Sequence, residues 1–407
     1  MVVKRLVVVC LLAILLFVVN TAGIYVLLTS QRPLHVWDFQ PLWQAGRWIL
    51  QEHGNPYSEE MTLLLQQQSY GRPAQGAEDP RAFVYPLYVL VLVWPLALLP
   101  LPLAQAAWLT ALEFGVALTV LGALRLTSRQ SSPLESVVMV VLAFCFYPIT
   151  WAWLLGQVSV PIGALVVGAL LGLQRRWDIL AGACLALTTS KPQMSFLLVP
   201  ALLAWGLWQG RYRFLASFAA AMVFFLLISF AVLPGWVGSF LGAGSGYFSV
   251  QPFAPPVSLL GQAIGGSAGQ AVMALLVILL LTGLVWAWWR ERRAPSLPIC
   301  AASLTLVVTA LIAPRTSIVN QTSLIVPLCL LFSEMGHHGP RGQQAAFALG
   351  IILLGGIWVI DSHCFPTLGR GEHGEAQHWV LSPILPTLLL GGLGTLPWWG
   401  RKEGRRT

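Results

Sequence analysis

Residues 6–28 read LVVVCLLAILLFVVNTAGIYVLL, an unbroken run without a charged side chain. A bilayer core of about 30 Å is crossed by about 20 apolar residues in a helix, so this run predicts a membrane span. Lys4 and Arg5 precede it, as they would a signal peptide. A signal peptide's apolar core is only about 7 to 15 residues long, so a retained anchor is expected.

The rest of the chain repeats the pattern. Of its 407 residues 57% are hydrophobic and 9% charged, with a mean hydropathy of +0.75, whereas soluble domains carry about 25% charged residues. Backbone amides in lipid must be satisfied within their own segment, which demands helices. The expectation is an all-α polytopic membrane protein with about 12 transmembrane helices. It forms one integral membrane domain over 1–407, with outer loops at 29–82 and 234–268 and no separate soluble domain.

The formal net charge of +8 does not describe a nucleic-acid surface, because the bases stand singly or in pairs at the ends of apolar runs. That is how membrane orientation is written. Basic breaks at 4–5, 125–129, 175–176, 211–213, 290–293, 337–341 and 401–406 are expected on the cytoplasmic side. The breaks between them, 30–81, 156–159, 190–193, 234–268, 314–317 and 362–378, are expected outside, with both termini inside. Residues 83–124 are long enough for two crossings, yet the charge rule allows an odd number. Pro86, Pro95, Pro100 and Pro102 interrupt the first half, so either that half is broken or re-entrant, or 125–129 faces outward against the rule. Five of the six cysteines, Cys10, Cys145, Cys184, Cys300 and Cys329, fall in or beside apolar runs and Cys364 falls in a loop, so no disulfide framework is expected.

The first outer loop holds HVWDFQPLWQAGRWILQEHGNPY, residues 35–57. From Pro41 to Gln51, Leu42, Ala45, Ile49 and Leu50 recur at helical spacing, and Trp43 and Trp48 add amphipathic rings. This predicts an interfacial helix with Asp38 at its start, ended by the turn formers at 54–57. A second short helix is expected over 59–68. Residues 234–268 are rich in Gly, Ser and Pro without a strong period and read as an irregular loop near the membrane surface.

Asp38 reads either as a solvated interfacial acid or as a general base, since apolar surroundings raise a carboxylate's proton affinity toward working pH. Lys191, in TTSKPQM, is the one lysine away from the termini. It either snorkels to the interface or contacts a phosphate as a point charge. Arg315, in LIAPRTSIVNQ, either pairs with Asp361 or a loop acid or joins Lys191 against a phosphate. Gln157, Asn320 and Gln321 read as interhelical hydrogen bonders or as partners for sugar hydroxyls. His363, His373 and His378 share a loop with Asp361, Glu372 and Glu375, but their spacing matches no metal template. They are read as exposed loop residues, with no metal ligand among them. No Gly-rich phosphate loop for a nucleotide is present.

These residues together resemble the membrane glycosyltransferases of family 87, in the C-type superfamily. The resemblance rests on the Asp38 segment with AGRWIL and GNPY, on FVYPLYVLVLVWPLALLP (83–100) followed by a span holding Trp108, on GQVS (156–159), on AGACLALTTSKPQ (181–193) and on APRTS (313–317). The family often shows Gly-Gln-x-Asn where this chain has Ser159. A later Asn-Gln-Ser is matched only by Pro256-Val257-Ser258. The resemblance implies inverting transfer of a hexose, in the family's usual case mannose, from a polyprenyl-phosphate donor to a lipid or glycan acceptor on the outer face of a bacterial plasma membrane. It makes Asp38 the base, and the residues read from their own positions as phosphate partners, Lys191 and Arg315, are then the donor-phosphate contacts. Gln157, Tyr57, Tyr85, Asn320 and Gln321 become the sugar or acceptor contacts. The lipid-linked donor is then a substrate, and no cofactor, metal or nucleic acid is expected. A transporter or flippase of a lipid-linked sugar is the rival reading, although transporters place charges at the midplane between repeated halves. A structural or inactive member remains the third.

Overall fold

The computed structural model describes residues 2–30, 36–76, 78–127, 132–250, 255–294, 296–314, 316–337, 339–364 and 383–395. Among them the secondary structure is helical, with no strand. Six helical spans are long and apolar enough to cross a membrane, or seven if one bent pair counts as a single crossing. This is an integral membrane protein. The five further apolar helices are only 10–17 residues long, so by length alone the expected dozen crossings is not reached.

Burial sorts the helices into a centre and a periphery. α4 (Leu101–Leu126) and the span Ile318–His337 are largely buried. α1 (Val2–Leu28), α10 (Tyr212–Val232) and α13 (Gly266–Glu291) are not. Leu15, Leu16, Phe224, Leu227, Ile278 and Leu279 point outward from these peripheral helices. In water such a surface would aggregate; in a bilayer it faces the solvent it matches.

α4 packs on α1, on α7 (Ser159–Gln174) and on α15 (Ile325–His337), and α7 packs on α8 (Asp178–Thr188), which packs on α10. Small residues permit the closest of these approaches. A Cβ on Gly182 of α8 would lie 2.6 Å from the Phe214 carbonyl oxygen and the Phe218 amide of α10, so only glycine fits there.

α5 (Pro133–Ala143) and α6 (Tyr147–Leu154) form the bent pair, at 65°. Pro148 cannot donate the amide hydrogen an unbroken helix would send to the Phe144 carbonyl. The Thr150 hydroxyl donates to that carbonyl instead.

Contacts join some breaks of each set to one another, and the two groups of contacts lie toward opposite ends of α8. Arg211 pairs with Asp178, and the Gln209 amide donates to the Arg292 carbonyl at 2.8 Å. These contacts join three of the basic breaks or their flanks. At the other end the Asp38 amide donates to the Leu155 carbonyl at 2.9 Å, and the Asn55 amide donates to the Ser239 hydroxyl at 3.0 Å.

Three local expectations meet the structure differently. The helices of the first long loop run Gln40–Gln51 (α2) and Glu59–Tyr70 (α3), close to the expected bounds, but the first half of α2 is buried against protein. Residues 83–124 contain one long helix, α4, preceded by two 3-10 turns, Leu87–Leu92 and Trp94–Leu98. The proline-rich half is therefore broken, the first of the two alternatives. Residues 234–268 are helical rather than irregular over much of their length, in α11 (Trp236–Val250) and α12 (Ser258–Ile264). Aromatic anchors account for part of this: Trp236 and Phe240, one turn apart, pack edge-on against Tyr88 and Tyr57. Composition understated that tertiary support. The described cysteines Cys10, Cys145, Cys184, Cys300 and Cys329 are all free.

Candidate active site

The site begins at the end of α6. Gly156 takes a left-handed φ of 72°, the Gln157 amide donates to the Ala152 carbonyl at 2.8 Å, and the Gly156 amide donates to the Trp153 carbonyl at 3.0 Å. This is a glycine-terminated helix end that satisfies the last carbonyls. A Cβ at Gly156 would come within 2.3 Å of the Val36 side chain and 3.0 Å of the Phe39 side chain. The missing side chain thus lets the loop that follows α1 lie directly on the helix end. Phe39 stacks on Trp108 at 5.3 Å, and the Trp108 indole donates to the Gly156 carbonyl at 2.8 Å.

That seat brings Asp38 to Gln157, whose side-chain amide donates to the carboxylate. Lys191 approaches from the opposite side, donating from Nζ to Gln157 Oε1 at 2.6 Å. It sits in the turn that ends α8, with Pro192 following. A cation there faces the negative end of the helix dipole. The Ser195 hydroxyl donates to the Thr188 carbonyl at 3.1 Å and the Ser190 hydroxyl to the Leu187 carbonyl at 2.7 Å, tying the turn down. Lys191 is buried, whereas Asp38 is only half-buried.

Burial raises the proton affinity of Asp38. Arg81 opposes that rise, Asp79 adds to it, and the Gln157 hydrogen bond and Lys191 lower it, leaving a carboxyl above its ordinary range. Burial pushes the Lys191 ammonium down to about 7 against the supporting charge of Asp38. The pair therefore consists of an acid made more basic and a base made more acidic, held apart by one amide.

The other expected residues divide. The half-buried Tyr85 has its phenol held neutral by burial, with Asp38 and Asp79 adding to the effect. Tyr57 donates its hydroxyl to the Tyr85 carbonyl at 2.7 Å, so it buttresses the loop that carries Tyr85. Asn320 and Gln321 are buried in the 3-10 segment Ile318–Leu324, which packs on α6, α7 and the 192–194 turn. The Thr322 hydroxyl donates to the Ser159 carbonyl at 2.8 Å, and Asn320 Oδ1 is buried without a hydrogen-bond donor among the described residues. Arg315, Glu372, His373, Glu375 and His378 lie outside the described residues. Among the described residues no three His, Cys, Asp or Glu side chains form a group that could hold a metal ion.

Sequence reading passed over Asp79, Arg81 and Tyr247. The buried Arg81 donates to the Trp37 carbonyl at 2.6 Å, and the Tyr247 hydroxyl donates to Asp79 at 3.3 Å. A signal was available in Asp79-Pro80-Arg81, an acid and a base beside the FVYPLY stretch.

Fold and composition define an integral membrane protein. The family model of glycosyltransferase family 87 matches residues 83–314. The chain belongs to that family and is a membrane glycosyltransferase. Tyr85, Gln157 and Lys191 fall inside the matched segment; Asp38, Tyr57, Asn320 and Gln321 fall outside it. No curated protein matches the chain, and no solved structure matches it.

Proposed function

We propose that the protein transfers a hexose, mannose in the family's usual case, from a polyprenyl-phosphate donor to an acceptor hydroxyl of a lipid or glycan, with inversion, at the outer face of a bacterial plasma membrane. The observation that carries this reading is the hydrogen-bonded chain Asp38–Gln157–Lys191, which joins a carboxylate of raised basicity to a buried cation.

Asp38 takes the proton from the acceptor hydroxyl as its oxygen attacks the anomeric carbon. The bond to the donor phosphate breaks on the far face, as in inverting hydrolysis with an alcohol in place of water. Lys191, with Arg315, stabilises the departing phosphate. Gln157 keeps base and cation apart, while Tyr85 and Asn320 offer polar groups to sugar hydroxyls, with Gln321 alongside. The donor is the substrate, and neither cofactor nor metal enters this scheme. The 12 crossings of this proposal count the bent pair and the five shorter apolar helices as spans.

The test is purified protein with labelled polyprenyl-phosphate mannose and a membrane lipid extract. Asp38→Asn should cost about 10² to 10⁴ in rate, the usual worth of a positioned base, and Lys191→Ala should raise the donor KM and lower kcat. Turnover that survives both substitutions removes this site. Sugar that crosses the bilayer without a new glycosidic bond favours the transporter.

A further inference from the structure

We propose that Arg81 is the positioning residue of the candidate base: it grips the Trp37–Asp38 peptide from the carbonyl side, while Leu155 grips it from the amide side. This rests on the reading of Asp38 as the base.

The grip is bilateral and specific. Arg81 Nη2 donates to the Trp37 carbonyl at 2.6 Å, and the amide of the same peptide, on Asp38, donates to the Leu155 carbonyl at 2.9 Å. Leu155 is the cap residue of α6, next to Gly156. The peptide is thus strung between the helix end that carries Gln157 and a guanidinium in the same outer loop. A second donor, Arg81 Nε, reaches the Ser69 hydroxyl at 3.2 Å, and the guanidinium lies over the Trp37 ring at 5.0 Å. Three contacts fix the plane of the fork, which a lysine could not reproduce.

Arg81 also adopts φ 57°, a left-handed conformation costly for any residue with a Cβ. Such strain persists only where the surroundings over-determine it. Here Asp79 does so, since the Arg81 amide donates to Asp79 Oδ1 at 2.7 Å across Pro80. Asp79 in turn accepts from Tyr247 of α11. The strained turn aims the side chain at Trp37.

The charged and titratable groups that interact with Asp38 are Arg81, Asp79, Lys191, Tyr85 and Tyr247. Arg81 is the largest single influence opposing the effect of burial on the carboxyl. Its removal should therefore change both where Asp38 sits and when it ionises.

Two readouts separate these effects, in full-length protein in nanodiscs. The first is carbodiimide labelling of Asp38 against pH, followed by mass spectrometry, which reads carboxyl protonation without any turnover. Arg81→Gln should raise the labelling midpoint by about one pH unit or more, the usual effect of losing an adjacent opposite charge. Arg81→Lys, which keeps the charge, should restore the midpoint. The second is steady-state transfer. Both variants should lose about 10²-fold in kcat, the scale of an ångström-sized misplacement, with the donor KM unchanged. Full recovery of kcat in Arg81→Lys would overturn the positioning role. A raised donor KM with wild-type kcat and midpoint would instead make Arg81 a phosphate contact and overturn it as well. If the wild type transfers no sugar while the midpoint still moves in Arg81→Gln, the function proposed above fails and the Arg81–Asp38 coupling stands.

Discussion

Lys191 and Gln157 share a 2.6 Å hydrogen bond in which the ammonium donates to the amide oxygen, so the amide nitrogen must face the other way. It faces Asp38. The dipole of one neutral side chain is thereby aligned along the line from anion to cation, and each charge selects the amide orientation that the other requires.

That alignment predicts energetic coupling. Asp38, Gln157 and Lys191 form one network, and groups sharing a network show interaction energies of about 0.5–3 kcal/mol in double-mutant cycles. Gln157→Ala and Lys191→Ala should each lower kcat/KM, and the double variant should lose less than the product of the two losses. Measured kcat/KM values for the four proteins check this; strict additivity would contradict it.

The pH profile should be a narrow bell. The base works only when ionised, so activity is lost as pH falls through the Asp38 pKa, which burial sets above the ordinary carboxylate range. The cation works only when protonated, so activity is lost as pH rises through about 7. Lys191→Arg should remove the alkaline limb, because a guanidinium does not titrate there. The acid limb should remain where it was. Rates of transfer measured from the ordinary carboxylate range to well above 7 would show both limbs.

Gly156→Ala should loosen the site without touching a charged group. The left-handed backbone alone costs about 1–2 kcal/mol for a residue with a Cβ, and the new methyl would meet Val36 and Phe39. Thermal unfolding in detergent should show lowered stability, and kcat should fall because the Asp38 loop is pushed off the helix end.

At the opposite end of the bundle, Arg211 is buried against Asp178 and also donates to the Leu173 carbonyl at 3.2 Å. Breaking a buried pair from one side costs about 3–5 kcal/mol because the partner's charge is stranded. Arg211→Ala should lower stability by that order, with the donor KM unchanged in whatever fraction remains folded. A thermal shift paired with steady-state kinetics separates the two effects.

How much of this was legible in advance depends on the range over which each feature is encoded. The span at 6–28 follows from local hydropathy, and the loop helices expected over 41–51 and 59–68, observed over 40–51 and 59–70, follow from helical period and turn formers, because each is decided by neighbours within a few turns. Charge sorting anticipated that 38, 157 and 191 belong to one side. Only the folded chain decided that they touch: Asp38 and Gln157 are 119 positions apart, and Gln157 and Lys191 are 34 apart. The approach of the two segments depends on the bend before α6, the bare Cα of Gly156 and the packing of α8 on α7, none of which leaves a periodic trace in composition. The same holds for α11, anchored by aromatics from elsewhere in the chain, and for Arg81, whose importance lies in a carbonyl 44 positions away. Hydropathy and period are sums over near neighbours, whereas a site is a meeting of distant residues that tertiary packing alone can arrange.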